Sequence, residues 1–196
     1  CRKYILSRGL TEAHMWYFRM GATSSGRFRR RVIIPSFDNS GFVNYFTARS
    51  IDDSSRKYLN PKVKRSEVIF NEINVDWSKE LVIVEGPFDL TKSTQNSTCL
   101  LGSTLTESHE LFRSIVTNMT PVTLALDPDA HVKTQKIAAL LSSYDIDVKV
   151  ANVSPYEDVG SMPVGAILKI TEAAKTWNRN DRLRSLISTI KSGSLI

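Results

Sequence analysis

Cysteine is nearly absent from this chain: 196 residues contain two, Cys1 and Cys99. They form no CxxC pair and no zinc-ligand framework, which leaves neither a disulfide scaffold nor a zinc module to be read within these residues. Cys99 sits in the apolar run Thr98-Cys99-Leu100-Leu101 and reads as a reduced core thiol. Long hydrophobic runs are missing too. No stretch approaches the roughly 18 apolar residues of a membrane-spanning helix, so none is expected. The opening Cys1-Arg2-Lys3-Tyr4 lacks the apolar segment of a signal peptide, and a start at Cys reads as a fragment or a processed product. These absences suit a reducing cytoplasm. No internal repeat, low-complexity tract or GxxxxGK[ST] phosphate loop occurs.

Charge is unevenly distributed. Residues 1–65 carry 14 Lys/Arg against 4 Asp/Glu, whereas residues 66–196 carry 12 against 16. A basic first third joined to an acidic remainder suggests one part that holds polyanions and another that holds metal; the competing reading is a solvated basic face.

The local patterns divide in the same place. Thr11 caps a helix over 12–19 that stops near Gly21. Residues 31–35 read as a strand, Asp38-Asn39-Ser40-Gly41 as a turn and 42–49 as the return strand of a hairpin. Beyond a connection at 66–78 the pattern alternates. Strands are expected at 81–84, 98–101, 122–126 and 148–153, with helices from about 88, over 107–117 behind Thr106, and over 130–144. Such alternation implies parallel strands with crossover helices on the faces. Two further helices are expected near 163–176 and 180–191. The fold class is therefore α/β: a basic mixed lobe (1–70), a Rossmann-like parallel sheet flanked by helices (71–162) and a helical tail (163–196).

Two apolar strands end in acid: Leu81-Val82-Ile83-Val84-Glu85-Gly86-Pro87-Phe88-Asp89 and Val122-Thr123-Leu124-Ala125-Leu126-Asp127-Pro128-Asp129. The residue after a buried parallel strand emerges at the sheet's carboxyl edge, where open α/β sheets place their ligands. Three or four carboxylates converging there suit a hard divalent cation, Mg2+ or Mn2+, and so phosphoryl-transfer chemistry.

Glu85-Gly86-Pro87-Phe88-Asp89 with Asp127-Pro128-Asp129 resembles the TOPRIM signature of DnaG-type primases, topoisomerases and some nucleases. Along the chain, Ser7-Arg8-Gly9-Leu10-Thr11, Gly26-Arg27-Phe28-Arg29-Arg30-Arg31-Val32-Ile33-Ile34-Pro35, Asp38-Asn39-Ser40-Gly41, Thr47-Ala48-Arg49, Lys57-Tyr58-Leu59-Asn60 and the Gly102 segment resemble, in the same order, blocks of the primase RNA-polymerase domain. The resemblance covers roughly residues 1–165 and, in its compactness, looks like a bacteriophage primase. It implies synthesis of short RNA primers on single-stranded DNA from ribonucleoside triphosphates. It further implies a replicative helicase as partner, and a zinc-binding module upstream or on another chain.

Under that resemblance Glu85, Asp127, Asp129 and Asp158 are the metal ligands, and Glu85, Asp127, Asp129 and Asp89 the catalytic carboxylates. Asp129 also suits capping the helix that follows it, and Asp89 the first turn of the helix that begins at about residue 88. The family often has a second Asp two residues after the position of Asp158; here Gly160 stands in its place. Arg27, Arg29, Arg31, Arg49, Lys57 and Asn60 are the candidate triphosphate and template contacts, with Arg27, Arg29 and Arg31 expected on one strand face. Tyr58 and Phe46 suit either base stacking or core packing. His14 and His109 read as structural, and Met15-Trp16-Tyr17-Phe18 as helix core. A TOPRIM nuclease shares the carboxylates but has no need of the basic blocks. A single-stranded DNA-binding module without catalysis is the non-enzymatic alternative.

Overall fold

The computed structural model describes residues 1–93, 96–102 and 104–178. Two short helices open the chain, α1 (Arg2–Ser7) and α2 (Glu12–Tyr17). Thr11 caps α2 as expected, and His14 completes a capping box: its Nδ1 accepts from the Thr11 N–H at 3.2 Å. His109 does the same for the Thr106 N–H, also at 3.2 Å. The structural reading of both histidines follows from that bond.

An antiparallel sheet comes next, in the order β1 (Arg31–Phe37), β2 (Val43–Ser50) and β3 (Tyr58–Leu59). Its hairpin closes where Asp38 Oδ1 accepts from the backbone N–H of Ser40 and Phe42. The strand does not extend back to Arg27. Gly26 and Arg30 take positive φ, and the Arg29 N–H turns onto the Gly26 carbonyl, so Arg27 and Arg29 lie in a turn and do not share a strand face with Arg31.

The larger sheet has the order β5-β4-β6-β7-β8. Strands β4 (Leu81–Val84), β5 (Ser97–Cys99), β6 (Val122–Ala125) and β7 (Val148–Val150) are mutually parallel. Helices α3 (Pro87–Leu90), α4 (Glu110–Asn118) and α5 (His131–Ser142) follow β4, β5 and β6. Helix α4 begins three residues later than expected, with His109 and not Thr106 as its cap. Helix α6 (Ala166–Glu172) stops short as well. Residues Lys175–Thr176 form β8, antiparallel to β7, and cover an edge that would otherwise leave backbone groups unpaired. The helix expected over 180–191 lies outside the described residues.

Every residue of β4 is buried, and the period-2 alternation divides them between two cores. Leu81 and Ile83 join Leu111, Phe112, Ile115 and Ile137 under α4 and α5. Val82 and Val84 join Phe88 and also Ile5, Leu10, Phe18, Val32, Ile34 and Tyr45 of the basic lobe. At about 1.5–3 kcal/mol per fully buried aliphatic side chain, this shared core holds the antiparallel lobe against the sheet. Cys99 is buried and free, and burial pushes its thiol pKa up, which keeps it protonated. Helix α2 departs from expectation: Trp16 is 81% and Tyr17 53% exposed, while Met15 and Phe18, the residue just past the helix, face the core. No described helix is long and apolar enough to cross a membrane.

Candidate active site between the basic lobe and the acidic sheet edge

Glu85 follows β4 directly, and its chain turns at Gly86 into α3. That turn brings Asp89 back: its Oδ2 accepts from the Gly86 N–H at 2.8 Å and its Oδ1 from the Gly160 N–H at 3.0 Å. The second bond depends on glycine, because a Cβ at position 160 would stand 2.8 Å from Asp89 Oδ1. The residue that breaks the family pattern is thus the one that lets the backbone reach Asp89. Asp158 caps a 3-10 turn, its Oδ1 accepting from the Ser161 N–H at 2.6 Å.

Asp127 emerges one residue past the buried Leu126 at the end of β6. Burial pushes its pKa up, with Asp89, Glu85, Asp158 and Asp129 adding like charge, to about 7. Asp89 rises to about 6, first through burial and then through Asp158 and Glu85, against the lowering effect of its two backbone donors. Glu85 has a neutralising partner that sequence reading did not find: Lys133 Nζ of α5 lies 2.6 Å from its Oε1. Asp129 is exposed, and Ala130 stands at the cap of α5 with no side-chain bond, so Asp129 does not fill the capping role either.

The basic lobe faces this edge across a cavity of about 390 Å³. Glu85, Asp89, Asp127 and Asp158 line one side; Arg8, Arg49, Lys57, Tyr58, Asn60 and Arg65 line the other. Arg49 is held in an aromatic cage. Its guanidinium carbon lies 4.7 Å from the centre of the Phe88 ring and 5.4 Å from that of Tyr58, and Nη1 donates to the Tyr58 hydroxyl at 2.7 Å. Tyr58 therefore faces the cavity, while Phe46 packs edge-on against Phe28 in the reading that favoured core. Asn60 Oδ1 accepts from the Thr47 hydroxyl at 2.9 Å, and Arg65 Nη1 donates to the Leu101 carbonyl at 3.0 Å. Lys92 is almost fully buried, and its ammonium donates to the Arg8 carbonyl at 2.5 Å, which fastens the Arg8 turn beside the site.

Three candidate contacts fall elsewhere. Arg27 and Arg29 do not line the cavity. Arg31 is buried, and its guanidinium donates to the carbonyls of Ala48, Arg56 and Lys57. It ties β3 to β1 and leaves no fork for phosphate. Conversely, Arg8, Arg65 and Lys133 were missed as site residues. Arg8 lies in the Arg8-Gly9-Leu10 block, a signal that was present, whereas no motif marks Arg65 or Lys133.

The expected convergence of three or four carboxylates on one point is not formed: among the described residues no group of three His, Cys, Asp or Glu is arranged to hold a metal ion. Two oxygen atoms nonetheless fit one. Glu85 Oε2 and Asp127 Oδ1 are buried and have no hydrogen-bond partner among the described residues. Buried carboxylate oxygens without donors are costly, and Mg2+ is commonly held by one or two carboxylates, keeping waters and substrate phosphates for its other positions.

A pH dependence follows from the two raised carboxyls. The folded chain holds protons on Asp89 and Asp127 that the unfolded chain releases near pH 4. Their stabilising contribution is therefore present at low pH and is lost as pH rises through about 6 and then 7. In chelator, the denaturant midpoint is expected to fall between pH 5.5 and 8, and Mn2+ should restore it most at pH 8. A midpoint that is flat over that range in chelator contradicts the assignment.

The fold is that of primase catalytic cores of the DnaG type. No family model matches the chain. It is 30% identical over 147 residues to the DNA primase of Thermotoga maritima, covering 67% of this chain and 26% of that protein. With the DNA primase of Clostridium acetobutylicum it shares 28% over 143 residues, covering 67% and 24%. Among solved structures, the Aquifex aeolicus primase (zinc binding and RNA polymerase domains) superposes with a TM-score of 0.74 at 20% identity, covering 97% of this chain and 58% of that one. The DnaG primase catalytic domain bound to single-stranded DNA gives 0.73 at 20% identity, covering 89% and 71%. The chain thus spans about a quarter of the curated relatives it matches.

Proposed function

We propose that this chain is the catalytic core of a DNA primase, joining ribonucleotides into short RNA primers on single-stranded DNA by metal-dependent nucleotidyl transfer. The observation that carries this reading is the cavity itself, where basic side chains of one lobe face carboxylates at the carboxyl edge of a parallel sheet. An enzyme that cuts a strand holds that strand alone beside the acidic side. A growing primer needs both sides, because a triphosphate must be held beside the reacting hydroxyl.

In this reading Glu85 and Asp127 would hold Mg2+ or Mn2+, with Asp129 and Asp158 at the margin. The chemistry such an ion would supply there is a lowered pKa for the primer 3′ hydroxyl and compensation of charge on the α-phosphate. Arg8, Arg49, Lys57 and Arg65 receive the triphosphate and the strand. The aromatic cage presets Arg49, which reduces the rotamer entropy lost when it binds phosphate. Asp89 acts on the backbone, fixing Gly86 and Gly160 around the acidic edge. Arg27 and Arg29, exposed and away from the cavity, suit template tracking by charge alone. The wider setting is a reducing cytoplasm and a bacteriophage-like replication system. A replicative helicase serves as partner, and a zinc-binding module, of the kind found beside the RNA polymerase domain in the Aquifex aeolicus primase, selects start sites.

The test is a gel of products formed from single-stranded DNA, labelled ribonucleotides and Mg2+ or Mn2+. Oligoribonucleotides made de novo are expected. Shortened template would replace the reading with a nuclease, and binding without either product with a DNA-binding module.

A further inference from the structure

We propose that Lys133 is a built-in counter-cation of the acidic centre: it occupies Glu85 Oε1, so that the free chain takes up one tightly held divalent ion through Glu85 Oε2 and Asp127 Oδ1. This rests on the metal-dependent reading above and concerns what the chain supplies in place of further metal.

Lys133 stands in the first turn of α5, where the helix dipole disfavours a positive charge. Side chains on a helix lean toward its N-terminus, and this one reaches back to the sheet edge, 2.6 Å from Glu85 Oε1, with both side chains about a quarter exposed. A charge placed against the dipole and largely out of water needs a local anion, and Glu85 provides it.

The remaining oxygens show what is left for an ion. Asp89 spends Oδ1 on Gly160 and Oδ2 on Gly86. Asp158 spends Oδ1 on Ser161. Glu85 spends Oε1 on Lys133, which leaves Glu85 Oε2 and Asp127 Oδ1 as the buried carboxylate oxygens without a partner among the described residues. One resident ammonium on Glu85 and few free buried acidic oxygens describe a centre whose charge lysine already partly offsets.

The experiment titrates the full chain with Mn2+ at pH 8 without nucleotide, reading free Mn2+ by electron paramagnetic resonance. One tight ion per chain is expected. Lys133→Gln removes a repelling unit charge beside the ion and should tighten it about tenfold, while Lys133→Arg keeps wild-type affinity. Lys133→Met, which preserves the apolar stem, carries the same expectation as Gln if the amide impairs folding. Unchanged or weaker binding in a folded Gln or Met variant makes Lys133 merely structural and overturns the inference. Two equivalent ions in the wild type overturn it too. No uptake by the wild type at millimolar Mn2+ would instead remove the metal-dependent reading itself.

Discussion

Asp127→Asn is expected to lower templated primer synthesis by about 10³-fold, equivalent to about 4 kcal/mol of transition-state stabilisation, without unfolding the chain. Asp127 contributes a buried carboxylate oxygen with no donor among the described residues, and an amide there keeps the shape while losing the charge. The same substitution should remove tight Mn2+ binding. Its effect on the metal-free fold runs the other way. Asp127 is ionised against burial and the charges of Asp89, Glu85, Asp158 and Asp129, so a neutral side chain removes a cost above pH 7. In chelator at pH 8 the variant should unfold at a denaturant concentration no lower than wild type. Measured together, synthesis, Mn2+ uptake and unfolding separate loss of chemistry from loss of structure. Wild-type synthesis in a folded Asn variant would remove Asp127 from the mechanism.

Gly160→Asp restores the family's expected carboxylate, and it is expected to damage the centre. A Cβ at this position would lie 2.8 Å from Asp89 Oδ1, 3.5 Å from Asp158 Oδ1 and 3.6 Å from Arg8 Nη2. The first distance is too short for any side chain, so Asp89 must move or the turn must open. Either movement breaks the bond from the Gly160 N–H. Overpacking of this kind costs about 1–3 kcal/mol, and a new charge beside two carboxylates adds to it. Gly160→Ala should therefore destabilise by about 2 kcal/mol and Gly160→Asp by more, in urea unfolding at pH 8 without metal. Tighter Mn2+ binding by Gly160→Asp at undiminished stability would show that the glycine is a lost ligand and not a packing requirement.

Much of the fold was legible because burial leaves a periodic trace. The four-residue apolar runs at 81–84 and 122–125 are buried in the sheet, and Glu85 and Asp127 emerge at its carboxyl edge for that reason. Capping chemistry is local, so Thr11 was legible as the start of α2, whereas at Thr106 the reading stopped at the hydroxyl and missed that His109 takes the cap. Alternation misled at Arg27, Arg29 and Arg31. The positive φ at Gly26 and Arg30 ends the strand at Arg31, and three carbonyls distant in sequence draw that guanidinium inward. Trp16 and Tyr17 misled in the opposite sense, since apolar character alone does not say which face of a short helix has a neighbour.

Local patterning encodes the parallel sheet, the basic hairpin and the acidic strand ends, because propensity, burial period and turn chemistry act over a few neighbouring residues. Which charges share the cavity depends on the packing of distant segments. Arg8 meets Gly160, Arg65 meets Leu101 and Lys133 meets Glu85 across separations that no local pattern encodes. Those contacts are set by how two lobes pack through one core. That packing also leaves Glu85 Oε2 and Asp127 Oδ1 without donors and gives Gly160, rather than an aspartate, its place beside Asp89.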